Sequence, residues 1–226
     1  MSEKNLDFKK LKKSLTPKEF LKNEPETIFK LNNPILYFFI FGIIIFLISL
    51  NPSINKSLFF LIFNISIHHY LFLNPIMEFS AFLLFAVICI IAFFWTLMNE
   101  KNKIFTIGFS FLFIGILAFI ISRIVMHFYF DLRPYMEYGL KPLVPVSTGN
   151  GFPSDHALLT TAITATMYLY SRKAGLILLI LTILVCIARI FVAAHHPLDV
   201  AASIFIVFIS TTIYLLFYNK IGKNIK

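Results

Sequence analysis

The chain has 226 residues, of which 58% are hydrophobic and only 14% are charged. Its mean hydropathy of +0.83 excludes an ordinary soluble domain, because apolar stretches of about twenty residues are long enough to cross a bilayer. The formal charge of +9 would suit nucleic-acid binding. Lysine in short loops beside apolar segments more often sets membrane topology, however, and no nucleic-acid partner is expected.

Residues 1–33 form a basic polar tail, which we expect to be distinct from a membrane-embedded domain at 34–226. Apolar residues at helical spacing and a capping-box pattern at 16–19 indicate either a short helix on anionic lipid headgroups or a solvated tail that only fixes orientation. Because about thirty residues, many of them charged, precede the first apolar segment, that segment is predicted to be a signal anchor and not a cleaved signal peptide.

The apolar pattern predicts an all-α integral membrane protein, a six-transmembrane helical bundle with the N-terminal tail in the cytoplasm. The predicted spans lie near residues 34–50, 76–98, 104–130, 154–171, 174–194 and 198–218. Segment 51–75 is apolar but short and interrupted by polar residues, so we expect a helix lying on the outer surface. The alternative is a seventh span, which would put the polar blocks and the lysine-rich loops on the sides opposite to those that the basic residues predict. Within it, His68 and His69 are adjacent and point to different helix faces, which argues against a metal pair.

The distribution of basic residues predicts the topology of the bundle. With a cytoplasmic N-terminus, fifteen of the twenty Lys and Arg residues fall on the inside. They are Lys4, Lys9, Lys10, Lys12, Lys13, Lys18, Lys22, Lys30, Lys101, Lys103, Arg172, Lys173, Lys220, Lys223 and Lys226. Only Lys56, Arg133 and Lys141 fall in outside loops, while Arg123 and Arg189 lie in spans near their outer ends. Both termini are therefore predicted to be cytoplasmic.

The first of three polar blocks, Asp131-Leu132-Arg133-Pro134, follows the third predicted span. Proline there is expected to end the helix and to place the Arg133 guanidinium at the rim of the bundle. The loop at 131–153 is rich in proline and glycine, so it cannot be regular helix and is predicted to form one wall of a site. Alone, an interfacial arginine is more typical of a snorkelling anchor.

The second block, Gly151-Phe152-Pro153-Ser154-Asp155-His156, leads into the fourth predicted span. The N-terminal amides of that helix can bind an anion, and the Ser154 hydroxyl can add a donor. His156 in the first turn can protonate a departing oxygen and later activate water. Asp155 would repel a phosphate unless it faces away to cap the helix or to orient His156. The simpler interpretation is a helix start after a proline-containing loop.

The third block joins Arg189 to His195-His196-Pro197-Leu198-Asp199. Pro197 suits the first turn of the sixth span, which leaves Asp199 in that turn and His195 just ahead of it. The carboxylate can accept a hydrogen bond from Nδ1 of His195 and leave Nε2 free for nucleophilic attack. Arg189 offers a planar fork to phosphate oxygens. The alternative is two interfacial histidines with an N-terminal aspartate cap.

Together the three blocks resemble the type 2 phosphatidic acid phosphatase (PAP2) superfamily. The matching elements are Arg133-Pro134, Pro153-Ser154-x-His156 and Arg189-x5-His195-x3-Asp199, and they agree in order and spacing. The resemblance covers about residues 76–218. Pro-Ser-Asp-His together with His-His-Pro-x-Asp is similar to the undecaprenyl-diphosphate phosphatase branch of that superfamily.

The resemblance implies a multi-pass protein of the bacterial cytoplasmic membrane whose site faces the exterior and removes the terminal phosphate of undecaprenyl diphosphate. It implies His195 as a nucleophile that forms a phosphohistidine, Asp199 as its orienting group, and His156 as acid and then base. The expected phosphate-binding group is Arg133, Ser154, Asp155 and Arg189. No cofactor or metal is implied, consistent with the lack of a carboxylate cluster in the blocks. Bacitracin, which sequesters the diphosphate, is expected to inhibit, and no obligate protein partner is expected.

Other functions remain open at this point. The same chemistry could serve lipid A phosphate, phosphatidylglycerol phosphate or phosphatidate, and a lipid hydroxyl in place of water would make the protein a phosphotransferase. A non-catalytic transporter or lipid-binding scaffold would instead tolerate the loss of both histidines.

The sequence departs from the family pattern at three positions. The pattern's lysine falls at Met126, which cannot bind phosphate. Arg123 lies three residues earlier, about 4.5 Å along a helix, and either replaces that lysine or forms a structural ion pair. Asp155 stands where the pattern has glycine, and Ala188 where it has serine.

Overall fold

The computed structural model describes residues 21, 23–68 and 73–225. The predicted capping box at 16–19 and the side chains of His68 and His69 lie outside the described residues. Within these ranges all regular structure is helical, apart from an isolated antiparallel bridge between Leu132 and Asn150. The helices are α1 (Pro34–Ser49), α2 (Pro52–His68), α3 (Leu73–Phe82), α4 (Leu84–Asn99), α5 (Ile104–Phe128), α6 (Pro134–Glu137), α7 (Asp155–Tyr170), α8 (Arg172–Phe191) and α9 (Pro197–Ile225).

Three described helical segments are long and apolar enough to cross a membrane by themselves, namely Lys101–Phe128, Arg172–Phe191 and Pro197–Ile221. Helices α3 and α4 meet that test only as a pair, bent by 59° at the break between them, which raises the number to four. The second predicted span is therefore a bent pair and not one straight helix. Helices α1 and α7 have 16 residues each, about 24 Å of helix, and fall short of the test.

Helix α7 lies at the centre of the bundle, where α4, α5, α8 and α9 pack around it. Almost all of its side chains from Ala157 to Tyr170 are buried, and many of them are alanine or threonine. Small side chains allow the neighbouring helices to approach closely, and their hydroxyls bond within the bundle, as Thr164 does with Thr182 at 2.8 Å. A helix surrounded by protein needs no lipid-facing apolar surface, which explains why α7 is less hydrophobic than its neighbours.

The loops divide the bundle into two ends. The site end carries the long connection at 131–153 and the short one between α8 and α9. The opposite end carries the turns at 99–103 and 171–173, and the described part of the tail packs there. The backbone N–H of Glu26 donates to the carbonyl of Leu169 at 2.7 Å, and Ile28 is fully buried. The tail end at 23–33 thus contacts the bundle directly.

The loop at 131–153 contains a single helical turn, α6, and is otherwise irregular, as predicted. Helix α5 ends at Phe128, five residues before Arg133, so Pro134 does not terminate that span. Pro134 instead occupies the first position of α6, where its fixed φ suits a helix start. Asn150 ties the two ends of the loop together, because its side-chain oxygen accepts the backbone N–H groups of Asp131 at 3.0 Å and Phe152 at 2.9 Å.

Candidate active site

A polar cavity of about 320 Å³ opens at the site end of the bundle. Five of the seven residues predicted for the site line it, namely Arg133, Asp155, His156, Arg189 and His195. Ser154 and Asp199 are fully buried and lie outside this lining. The remaining lining residues are Arg123, Met126, Ser147, Thr148, Asn150, Phe152 and Pro153. The structure therefore brings the three sequence blocks to one place.

His195 lies in the connection between α8 and α9 and is only 3% exposed. Its Nδ1 lies 2.9 Å from the carbonyl oxygen of Gly151 and 3.3 Å from Oδ2 of Asp199. Its Nε2 lies 3.2 Å from Nη1 of Arg133, which can donate a hydrogen bond but cannot accept one. These partners assign the proton to Nδ1 and leave the Nε2 lone pair facing the arginine.

The start of α9 fixes the carboxylate of Asp199. His196 is the N-cap and Pro197 the first helical residue, so Asp199 is the third residue of the helix. Its Oδ2 accepts the backbone N–H of His196 at 2.9 Å, the contact an acidic residue makes in a capping box. The same oxygen faces His195. The predicted place of Asp199 in the first turn of this helix is thus confirmed by the helix boundary.

The end of α8 directs His195 towards the cavity. Ala193 adopts a left-handed conformation with φ of 59°, which is uncommon for a residue with a side chain. The backbone N–H of Ala194 donates to the carbonyl of Arg189 at 3.2 Å, and that of Ala193 to Ile190 at 3.0 Å. This pair of bonds is a Schellman motif. It reverses the chain in two residues, so that Arg189 on the helix and His195 beyond it reach the same cavity.

Arg133 places a partly buried guanidinium beside the imidazole. Its Nη1 donates to the carbonyl of Ala194 at 3.1 Å, in addition to its contact with His195. Burial lowers the pKa of Arg133, with the Asp199 carboxylate acting in the opposite direction. The Nε–H group is buried and has no partner among the described residues. A phosphate oxygen would supply the missing acceptor.

Arg189 reaches the cavity from the last turn of α8 and is 6% exposed. Its Nη1 donates to the carbonyl of Ala81 at 3.0 Å, while its buried Nε–H has no partner within the described ranges. That carbonyl is available because α3 ends at Phe82 and α4 begins at Leu84. The bend between α3 and α4 therefore supplies the acceptor that orients Arg189.

His156 and Ser154 are presented by the N-terminus of α7. His156 is the second helical residue, and its ring packs edge-on against Phe85 with centroids 5.9 Å apart. Ser154 is the N-cap residue, but its hydroxyl makes no capping bond and has no partner among the described residues. A buried hydroxyl without a partner is a free hydrogen-bonding group directly behind the cavity wall.

Asp155 and Arg123 form an ion pair at the rim of the cavity. Asp155 is two-thirds exposed, and no hydrogen bond joins it to His156 among the described residues. Arg123 also lies 3.4 Å from the sulfur of Met126, the position of the missing lysine. The sequence left two possibilities for Arg123, a structural ion pair or a replacement for the missing lysine. The structure contains the ion pair, and it also places the guanidinium at the cavity, where a replacement for the lysine would have to lie.

A second polar group lies next to the site. His196 is buried, with Nδ1 3.2 Å from Asp131 and Nε2 3.2 Å from Glu137. Ligand atoms of these three residues lie within 4.8 Å of one another, so they could hold a metal ion. Each ring nitrogen faces a separate carboxylate, but Nδ1 of His196 and Oδ2 of Asp131 make no hydrogen bond among the described residues. The three sequence blocks contain no carboxylate cluster, since Glu137 is not in any of them.

Two groups of the site were not predicted from the sequence. The carbonyl of Gly151 is nearer to Nδ1 of His195 than Asp199 is, and the carbonyl of Ala81 orients Arg189. Backbone carbonyls carry no residue-type signal. The glycine at 151 was the available clue, because a side chain there would lie 3.2 Å from both Arg133 and Asp199.

A bundle of apolar helices that places histidines and arginines around a polar cavity suits a membrane phosphatase. The sequence model of the PAP2 superfamily matches residues 107–223, and the chain belongs to that superfamily. The match begins in α5 and ends in α9, so it contains every residue predicted for the site.

Two Bacillus proteins and one solved structure are similar to the chain. Undecaprenyl-diphosphatase BcrC of Bacillus subtilis (strain 168) is 29% identical over 153 residues, which are 66% of this chain and 77% of that protein. Bacitracin transport permease protein BcrC of Bacillus licheniformis is 30% identical over 139 residues, 59% of this chain and 66% of that protein. The crystal structure of Aquifex aeolicus LpxE aligns with a TM-score of 0.57 at 23% identity, covering 72% of this chain and 94% of that chain. These relatives are bacterial, and the structural match shows a shared fold.

Proposed function

We propose that this phosphatase removes the terminal phosphate of undecaprenyl diphosphate through a phosphohistidine and without a metal ion. The observation that carries the proposal is the environment of His195, whose Nε2 faces a cavity lined by Arg133 and Arg189, two arginines whose Nε–H groups have no partner among the described residues. The similarity to a protein named undecaprenyl-diphosphatase supports this choice of substrate.

In the proposed reaction, Nε2 of His195 attacks the terminal phosphorus and forms an N–P bond, while the bond from that phosphorus to the bridging oxygen breaks. His156 gives a proton to the departing lipid monophosphate and then takes one from a water molecule. The oxygen of that water attacks the phosphorus, the N–P bond to His195 breaks, and inorganic phosphate leaves with the free imidazole restored. Asp199 and the carbonyl of Gly151 hold the Nδ1–H, and Arg133 and Arg189 balance the charge that develops on the equatorial oxygens.

We also propose that α1, the α3–α4 pair, α5, α7, α8 and α9 form six spans, with both termini in the cytoplasm and the cavity facing the exterior. The short α7 needs no full apolar length, because neighbouring helices surround it. The basic residues Lys101, Lys103, Arg172 and Lys173 lie at the opposite end from the cavity, which supports this orientation. In this proposal residues 1–33 are a cytoplasmic tail and residues 34–226 the phosphatase domain.

A relative named as a bacitracin transport permease keeps a non-catalytic function as the alternative. If the protein is a transporter, its function should be retained when His195 is replaced. A transport function also gives no reason for the contacts that hold Nδ1 of His195. The alternative lipid substrates, lipid A phosphate, phosphatidylglycerol phosphate and phosphatidate, keep the same site and differ in what is attached to the phosphate.

The test is phosphate release by the purified protein in detergent and chelator from undecaprenyl diphosphate and those three lipids. We expect preference for the diphosphate, loss of release in His195→Ala, and no loss in His127→Ala, an exposed histidine of α5 outside the cavity. A different preferred lipid would overturn the substrate alone. Release that depends on added metal would overturn the metal-independent reaction, and release unchanged by His195→Ala would overturn the phosphohistidine.

A further inference from the structure

Arg123 is a cavity-lining cation that the reaction described above does not use. It projects from α5 ten residues before Arg133, and its guanidinium is paired with Asp155 at the first position of α7. The contact with Met126 and a second one from Nε to the hydroxyl of Ser122 at 3.3 Å lay the side chain along its own helix. The guanidinium is thus held at the rim of the cavity.

The charged groups of the cavity lie at two depths. Arg189 is almost completely buried and Arg133 is partly buried, and neither Nε–H has a partner in the described part of the chain. The side chains of Arg123 and Asp155 are 36% and 66% exposed. The inner arginines flank the nucleophile and suit the phosphoryl group that is transferred. The outer pair lies where the remainder of the substrate must leave the cavity.

We propose that Arg123 forms a second phosphate subsite, which binds the phosphoryl group that stays on the lipid. This inference rests on the proposed function, since only a diphosphate brings a second phosphoryl group. A monophosphate is matched by the two inner arginines, whereas a diphosphate carries further ionised oxygen that those two cations do not balance. Asp155 holds Arg123 in the empty site and gives it up when that oxygen arrives.

The exchange of partners is energetically accessible. An ion pair between half-exposed groups contributes little to stability, whereas an arginine–phosphate pair makes charge-assisted bonds in a planar, two-pronged geometry. Asp155 is not left without stabilisation after the exchange, because its carboxylate remains in the first turn of α7, where the helix dipole favours a negative charge. A purely structural pair between α5 and α7 would instead have to persist when substrate binds.

The test compares farnesyl diphosphate with farnesyl monophosphate as probes for the full-length protein in detergent. In Arg123→Gln we expect the ratio of kcat/KM for the diphosphate to that for the monophosphate to fall by about 10- to 100-fold, the loss that follows removal of a charge-assisted hydrogen bond. Arg123→Lys keeps the charge without the fork and should lose only part of the ratio. Asp155→Asn removes only the negative charge that pairs with Arg123 when no substrate is bound, so the ratio should stay the same or rise.

The matched control is Lys141→Gln, which changes an exposed cation of the loop at 131–153 that does not line the cavity, and it should leave the ratio unchanged. If Arg123→Gln and Asp155→Asn lower both activities equally, the pair is structural and the subsite is wrong. Should Arg123→Gln fail to fold, Arg123→Lys still decides, because the subsite predicts a partial fall of the ratio in that variant and a structural pair predicts no change. If the wild-type protein releases no phosphate from the diphosphate, or if the release does not depend on His195, the proposed function itself is wrong. This outcome is distinct from the one that overturns only the Arg123 subsite.

Discussion

The imidazole of His195 is surrounded by groups that oppose its protonation. Burial first, and then the cations of Arg189 and Arg133, hold its pKa well below the usual value of about 6.5, and the hydrogen bond to Gly151 compensates only in part. A neutral imidazole is the nucleophilic form. Since a lowered pKa keeps that form populated as the pH falls, the acid limb of kcat/KM assigned to His195 should lie below about pH 6.5.

The measurement is a pH–rate profile with farnesyl diphosphate, whose own ionisation is followed separately by phosphorus NMR. Replacing Arg133 by Gln removes one opposing cation, so the acid limb of the residual activity should move to higher pH. An acid limb at or above the ordinary histidine pKa in the wild type would contradict the neutral, buried nucleophile.

Gly151 allows three parts of the site to meet. A Cβ atom there would lie 3.2 Å from Cγ of Arg133, 3.2 Å from Oδ2 of Asp199 and 3.3 Å from the carbonyl oxygen of Asp131. Gly151→Ala should therefore displace the groups around His195 and lower kcat/KM by at least about tenfold, as small misplacements in active sites do. Gly108→Ala on α5 is the control, because its Cβ would meet nothing within 4 Å. Equal activity of the two variants would show that the close approach at Gly151 is unimportant.

At the scale of residues, sequence spacing predicted the pairs that lie within one helical turn. His195 and Asp199 are four positions apart at a proline-started helix, so their proximity followed from local geometry. The contact of His195 with Gly151 crosses 44 positions and depends on the path of the irregular loop. No periodicity describes such a loop, so that contact could not be predicted.

At the scale of the elements, the Schellman motif at the end of α8 predicts how glycine substitutions at positions 193 and 194 differ in their effect on stability. Ala193 and Ala194 are both fully buried, but only Ala193 has a left-handed backbone. Glycine at either position loses one methyl group and gains backbone freedom, and only at 193 does it also relieve the left-handed strain. Ala193→Gly should therefore be less destabilising than Ala194→Gly by about 1 kcal/mol, measured as thermal unfolding midpoints in detergent. The reverse order of midpoints would contradict the assigned backbone conformation.

Helix boundaries were predictable where a residue type marks them. Pro197 indicated the start of α9, and the proline before Ser154 indicated the start of α7. The break between α3 and α4 at Leu83 has no proline or glycine to mark it. A tertiary contact accompanies the break, since the neighbouring carbonyl of Ala81 accepts a hydrogen bond from Arg189 of α8. A bend stabilised by a partner 108 positions away leaves no local signal.

At the scale of the whole molecule, hydropathy indicates which helices face lipid, whereas three residues of the proposed site lie at the start of a helix that other helices enclose. Helix α7 carries Ser154, Asp155 and His156 at its N-terminus and is enclosed by four other helices. Its composition of small and polar residues follows from that enclosure. Helices α5, α8 and α9 can be recognised in the sequence from their long apolar segments. Helix α7 is recognised instead from the motif Pro153-Ser154-x-His156 at its start.

The positive-inside distribution predicts which end of this bundle faces the cytoplasm. Lys101 and Lys141 are both exposed, the first at the end opposite the cavity and the second in the loop at the site end. In a background with Cys89 and Cys186 replaced by alanine, Lys141→Cys should react with a membrane-impermeant maleimide added to intact cells, and Lys101→Cys only after permeabilisation. That pattern would place the phosphatase site outside, where a lipid diphosphate released by extracytoplasmic polymer synthesis would reach it. Labelling of Lys101→Cys in intact cells, with Lys141→Cys protected, would invert the bundle and require a substrate presented from the cytoplasm.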